Sequence, residues 1–132
     1  LLSQAEHDRL ATAVLVCDSE ALAGAVSAEL ERQIPLLPRA DIARASIDNN
    51  GKIIIARDMA EGVDIANEIA PEHLEVCVDD PFSLLNSIRN AGSIFLGKNV
   101  PEALGDYFAG RTTRCPRWGR RAFPARFPWM IS

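Results

Sequence analysis

TAVLVC, residues 12–17, is an unbroken apolar run ending at Cys17. A short run of this kind, with no polar alternation, reads as a strand covered on both faces. Asp18-Ser19 follows as a helix N-cap, and Leu22, Val26 and Leu30 recur at every fourth position, which predicts an amphipathic helix to about Gln33. Upstream, residues 2–10 (LSQAEHDRL) have helix-forming composition. Downstream, Pro35 and Pro38 break the helix, and Ala40–Ile47 reads as another. Asn49-Asn50-Gly51 is a turn signal, and KIIIA (Lys52–Ala56) is a second strand. Asp58 caps a helix bearing Met59, Val63, Ile65, Ala66 and Ile69, closed by Pro71. LEVCV (Leu74–Val78) is the third strand. Asp80-Pro81 then opens a helix whose apolar residues are Phe82, Leu84, Leu85 and Ile88. Asn90-Ala91-Gly92 turns into SIFL (Ser93–Leu96), the fourth strand, and Pro101 begins a last short helix through about Tyr107.

Four strands alternating with helices predict the α/β class: a mostly parallel sheet covered by helices, with right-handed crossovers, as in an incomplete Rossmann-like domain. No G-x-G-x-x-G follows any strand, and Gly51 precedes one, so no dinucleotide fingerprint is present.

With 132 residues, 48% hydrophobic and 24% charged, the chain has the size and composition of one globular domain. It excludes a collagen-like repeat, a disordered polyelectrolyte and a disulfide scaffold. The longest apolar runs fall short of a membrane span, and no secretory leader opens the chain, so no membrane partner is expected. The opening Leu1-Leu2, without methionine, is expected of a piece of something longer. Cys17, Cys77 and Cys115 are isolated, without C-x-x-C spacing, which fits a reduced, cytoplasmic setting. The net charge of −4 is unevenly placed: residues 1–110 hold all 18 acids against 8 Lys and Arg, whereas residues 111–132 hold 6 Arg and no acid. Both tryptophans also lie in that tail.

Three clusters can carry chemistry. Gln4 and His7 are three apart, so on a helix an amide oxygen and an imidazole project from one face and can ligate a divalent metal, or serve merely as cap and surface residues. Glu72-His73, where a helix gives way to a strand, can form an acid–base pair, because imidazole titrates near neutrality and a carboxylate can polarise water; it also reads as a polar loop pair. Asp106, in Gly105-Asp106-Tyr107, is either a hard oxygen ligand or a helix-end residue.

LLSQAEHD, APEHLEV, NAGSIFLG and PEALGDYFAG, in this order and spacing, resemble the histidinol dehydrogenases, nearly continuously over residues 1–110. The resemblance implies a zinc-containing, NAD-dependent enzyme of histidine biosynthesis, a homodimer that oxidises L-histidinol through histidinaldehyde to L-histidine. It implies Gln4, His7 and Asp106 as metal ligands and Glu72 and His73 as the catalytic acid–base pair. His73 would take the alcohol proton, and Glu72 would help activate water. It further implies that the NAD-binding domain, a fourth zinc ligand and a substrate-contacting His lie outside this chain.

After Gly110 the resemblance is expected to stop abruptly. Read one base out of register, allowed codons from Gly110 onward spell T-N-H-T-L-P-T and then G-T-A-R-F-S-S-P-L-S-V-D-D-F, which is similar to the family's continuation. Trp118-Gly119 forces the glycine, and Trp129-Met130-Ile131 forces the two aspartates. The expected division is therefore an α/β fragment over residues 1–110 and an Arg/Pro/Trp-rich, frameshifted tail over residues 111–132, with the isolated chain inactive. The competing reading is a non-catalytic α/β module whose basic tail binds single-stranded nucleic acid through Arg and Trp. The acidic body opposes steering toward a polyanion, so nucleic acid is not the expected partner.

Overall fold

The first strand, β1 (Val14–Cys17), is buried at every position, as its unbroken apolar sequence requires. In this computed structural model, which describes residues 1–98 and 128–131, helix α1 (Leu2–His7) precedes it. Helix α2 (Glu20–Gln33) follows, capped by the Ser19 hydroxyl, which accepts from the Leu22 amide. A 3₁₀ turn at Ile34–Leu36 leads into α3 (Ala40–Asn50) and then β2 (Lys52–Ile55). Helix α4 (Met59–Ile69) is capped by the Asp58 carboxylate, which accepts from the Glu61 amide. Strand β3 (His73–Val76), a 3₁₀ helix (Pro81–Ser87), β4 (Ser93–Leu96) and β5 (Pro128–Ile131) complete the described elements.

The described strands form one parallel sheet in the order β2-β1-β5-β3-β4. The α/β class stands. The expectation of four strands is short by one: β5 comes from within the tail and runs between β1 and β3. A four-residue apolar stretch beginning with proline, in an Arg-rich segment, carries no periodicity to announce it.

Side chains alternate across each strand and divide the core into two layers. On one face, Val14 and Val16 of β1 meet Ala56, Ile54 and Ile65, and Leu74 and Val76 of β3 meet Val63 and Ala66 of α4. On the other face, Leu15 and Cys17 pack against Ala23 and Val26 of α2 and against Leu1.

Several local expectations change. Of the face predicted for α2, Leu22 is exposed and Val26 and Leu30 are half-buried, while Ala23 is buried; α2 lies over β1 and β2, and among the described residues no strand lies beyond β2. Asn49 and Asn50 belong to the last turn of α3, and Gly51 has ordinary extended angles (φ −66°, ψ 141°). Gly51 is required for space instead: a Cβ there would lie 2.6 Å from the Ile47 carbonyl oxygen. The helix predicted after Asp80 is 3₁₀. Its three-residue period sets Pro81 and Leu84 inward and turns Phe82 and Leu85 out, with Phe82 70% exposed. Strand β3 begins at His73 and ends at Val76, so Cys77 and Val78 lie beyond it. The helix predicted from Pro101, together with Asp106 and Cys115, lies outside the described residues.

Candidate active site

Glu72 and His73 sit where α4 hands over to β3, on a backbone fixed from several directions. The α4 helix ends on Ala70 in the left-handed region (φ 53°), the one described non-glycine residue with positive φ. An L-residue there costs roughly 1–2 kcal/mol. The strain falls immediately before Pro71-Glu72-His73, and the chain beyond is clamped: the Gly92 amide donates to the Pro71 carbonyl (2.9 Å) and the Ser93 amide to the Glu72 carbonyl (2.8 Å). Gly92 permits this approach, since a Cβ there would stand 2.6 Å from the Glu72 carbonyl oxygen. The APEH and NAGS stretches are thus two sides of one clamp.

Sequence reasoning missed the residue that holds the second side. Asn67 of α4 donates from Nδ2 to the Ser87 carbonyl (2.9 Å), and its Oδ1 accepts from the Arg89 amide (2.7 Å) and the Asn90 amide (3.2 Å). The Asn90 side chain returns a bond to the Asn67 carbonyl (3.0 Å). A polar residue beside Glu68 on a helix gives no signal of this in the sequence, because its partners lie 20 to 23 positions away.

Within β3, His73 and Glu75 face away from Leu74 and Val76, which pack on α4. His73 is half-buried, and its ring stands 6.1 Å from that of Phe95 on β4, tilted by 54°. Glu72 is exposed. Just past β3, burial and then the nearby Glu75 carboxylate push the Cys77 thiol up, so it is no activated nucleophile at neutral pH.

Gln4 and His7 lie on α1, Gln4 half-buried and His7 exposed. This short helix is held by α3. The Glu6 carboxylate accepts from the Arg39 amide at the α3 N-terminus (3.2 Å), and the Arg39 guanidinium donates to the His7 carbonyl (3.4 Å). In the connection to β1, buried Ser46 donates to the Ala11 carbonyl (2.8 Å) and Asn50 to the Arg9 carbonyl (3.2 Å). Arg39 and Ser46 hold α1 and its connection without having been singled out by the sequence pattern, and Asn50, read there as part of a turn, holds the Arg9 carbonyl instead.

Leu1, at the head of α1, packs on the face of β1 bearing Leu15 and Cys17, and that face is continuous with the one on which β3 presents His73 and Glu75. The two predicted pairs therefore occupy the same side of the sheet. No three His, Cys, Asp or Glu side chains converge on a metal-sized site among the described residues. These residues offer one amide oxygen and one imidazole from Gln4 and His7, nitrogen and oxygen donors that fit part of a zinc shell and leave it to be completed from elsewhere.

A family model described as histidinol dehydrogenase matches residues 1–122. The match runs on to residue 122, which corrects the expectation that the resemblance stops at Gly110. The chain is 52% identical over 123 residues to the histidinol dehydrogenase of Sulfurimonas denitrificans, covering 93% of this chain and 29% of that protein. It is 54% identical to the Wolinella succinogenes enzyme and 50% identical to that of Bacillus subtilis, covering 28% and 29% of their lengths. The crystal structure of histidinol dehydrogenase from Elizabethkingia anophelis superposes with a TM-score of 0.77 at 30% identity, over 80% of this chain and 24% of that one. This chain spans less than a third of the length of these relatives. On the match over residues 1–122, supported by these relatives, the chain belongs to the histidinol dehydrogenase family.

Proposed function

We propose that this chain carries the acid–base pair and part of the metal-ligand set of an NAD-dependent, zinc-containing histidinol dehydrogenase, and that alone it completes no turnover. The observation that carries this reading is the clamped Glu72-His73 step at the start of β3, on the same sheet face as the helix bearing Gln4 and His7.

In the first oxidation of L-histidinol, His73 accepts the hydroxyl proton as the carbinol carbon gives up hydride and becomes the aldehyde. In the second, Glu72 draws a proton from the water that adds to the aldehyde carbon, and loss of a second hydride gives the carboxylic acid, which releases its proton to solvent as the carboxylate of L-histidine. The half-buried ring of His73, backed by Phe95, holds its proton-accepting nitrogen in a restricted arc, while exposed Glu72 keeps access to water. When bound, zinc held by Gln4, His7 and Asp106 templates the substrate's imidazole and amine, and NAD supplies the hydride acceptor. No dinucleotide fingerprint follows any strand, and the relatives are more than three times as long, which supports inactivity of the isolated chain. In this reading the working enzyme is a cytoplasmic homodimer, and residues 111–132 are read out of frame, as their acid-free composition and the shifted-frame string support.

The test combines the purified 132-residue chain with L-histidinol, NAD and zinc and follows NADH. No production above a substrate-free control is expected; sustained production that His73→Asn abolishes would overturn the claim of inactivity. Titration calorimetry with zinc is expected to show binding that His7→Ala removes; no binding, or binding that His7→Ala leaves intact, overturns the ligand assignment. Sequencing the gene through the Gly110 codon settles the frame. An unshifted open frame reading on through Ser132 in family-like sequence overturns the frameshift.

A further inference from the structure

Helix α4 touches two strands that are not neighbours. Ile65 packs against Val14 and Val16 of β1, and a Cβ at Gly62 would lie 3.7 Å from a Val16 methyl. One position along the helix from each, Val63 and Ala66 pack against Leu74 and Val76 of β3. Two adjacent stripes of one helix thus seat β1 and β3 separately, about two strand spacings or roughly 9–10 Å apart. That interval is too wide for the two strands to bond to each other and is the width of one strand. The residues bordering it include the most buried of the described sheet: Val14 and Leu74 are 0% exposed, and Val16 and Val76 are 1% and 0%. Left empty, it would strand the inner backbone groups of both strands in an apolar setting, where unpaired N–H and C=O groups are costly.

We propose that this interval is a strand-acceptor site with its own parallel register, and that Pro128–Ile131 is the donor strand on which the unity of the sheet depends. The register meets the demand on both sides at once: Trp129 pairs with Val14 and Leu74, Met130 with Leu15 and Glu75, and Ile131 with Val16 and Val76. Proline stands at the first position of the strand, where a missing N–H is tolerated. The chemistry recognised is a short apolar β-former running parallel to its neighbours, read through backbone bonds, so the role is independent of the reading frame that produced the tail. Without the donor, the sheet is divided into a β2–β1 pair and a β3–β4 pair joined mainly through α4.

The experiment is amide hydrogen exchange on the full chain, on a chain ending at Phe127, and on the full chain with Met130→Pro or Met130→Val. Truncation and Met130→Pro are expected to lower protection at Val14–Val16 and Leu74–Val76 together, by about tenfold or more, while Met130→Val keeps it. A synthetic peptide of residues 126–132 is expected to restore protection to the truncated chain. Unchanged protection after truncation or after Met130→Pro overturns the proposal, and so does a loss that saturating peptide fails to restore.

Discussion

Strands β1 and β3 run in the same direction in one sheet and rest on the same helix, yet one is buried on both faces and the other on only one. β1 lies between α4 on one side and Leu1, Ala23 and Val26 on the other, and its sequence is accordingly apolar throughout. β3 shares the α4 side, with Leu74 and Val76 fully buried, while His73 and Glu75 on its other face are half-buried. Strands of parallel sheets are ordinarily covered on both faces and read as continuous apolar runs. The alternation in β3 sets polar side chains, His73 and Glu75, on the face opposite α4, and the proposed acid–base pair lies where that strand begins.

The largest expected effect breaks the sealed side. Leu15→Ala removes a side chain only 1% exposed from the layer between β1 and α2 and is expected to cost about 2–5 kcal/mol in urea unfolding. A loss well under 1 kcal/mol would mean that α1 and α2 do not seal that face. Next comes the clamp ahead of β3. Gly92→Ala drives a Cβ to 2.6 Å from the Glu72 carbonyl oxygen, for an expected cost of about 1–3 kcal/mol, with displaced His73 ring resonances as the sign that the Glu72-His73 backbone has moved. Asn67→Ala releases the Ser87–Asn90 connection that braces the clamp. It is expected to cost about 1 kcal/mol, since the freed amides turn to water, and to raise exchange at Arg89 and Asn90.

The smallest effect is electrostatic and lies on the cover of β1. Hydrogen bonds from Arg32 and then Gln33 lower Glu29 from 4.5 to about 2. A carboxylate whose folded value is depressed adds stability above its ordinary range, and that stability is lost as pH falls from about 4.5 toward about 2. The wild-type chain should therefore exceed Glu29→Gln slightly near neutral pH, and the two should converge near pH 2. The exposure of both side chains, 63% for Arg32 and 48% for Glu29, keeps the difference small, and added salt should shrink it further.

The strands VLVC, KIII and SIFL were legible from their apolar runs, although only VLVC is buried throughout and KIII lies largely exposed at the sheet edge; both helix caps, Ser19 and Asp58, were legible from residue type. The misreadings share one cause. LEVCV reads as a strand from Leu74, yet pairing with Ser93–Leu96 sets the register from His73. The Phe82–Ile88 apolar set fits an α-helical period, and the segment between β3 and β4 folds as a 3₁₀ helix instead. Of the candidate site, Gln4, His7, Glu72 and His73 were legible from residue type and motif. The clamp through Gly92, the Asn67 bracket and the hold of Arg39 on α1 were not, since each joins segments distant in the chain.

By itself, then, the sequence determined the α/β class, the order of its elements, the family and the residue types available for acid–base and metal chemistry, because these depend on local propensity, periodicity and motif spacing. Tertiary structure alone decided that α4 seats β1 and β3 one strand apart, that β5 occupies the interval between them, and that α1 and His73 share a face. Those outcomes are relations between segments. They follow from the need to pair every buried backbone group and to bury both faces of a helix-backed sheet, demands that no single stretch of sequence states.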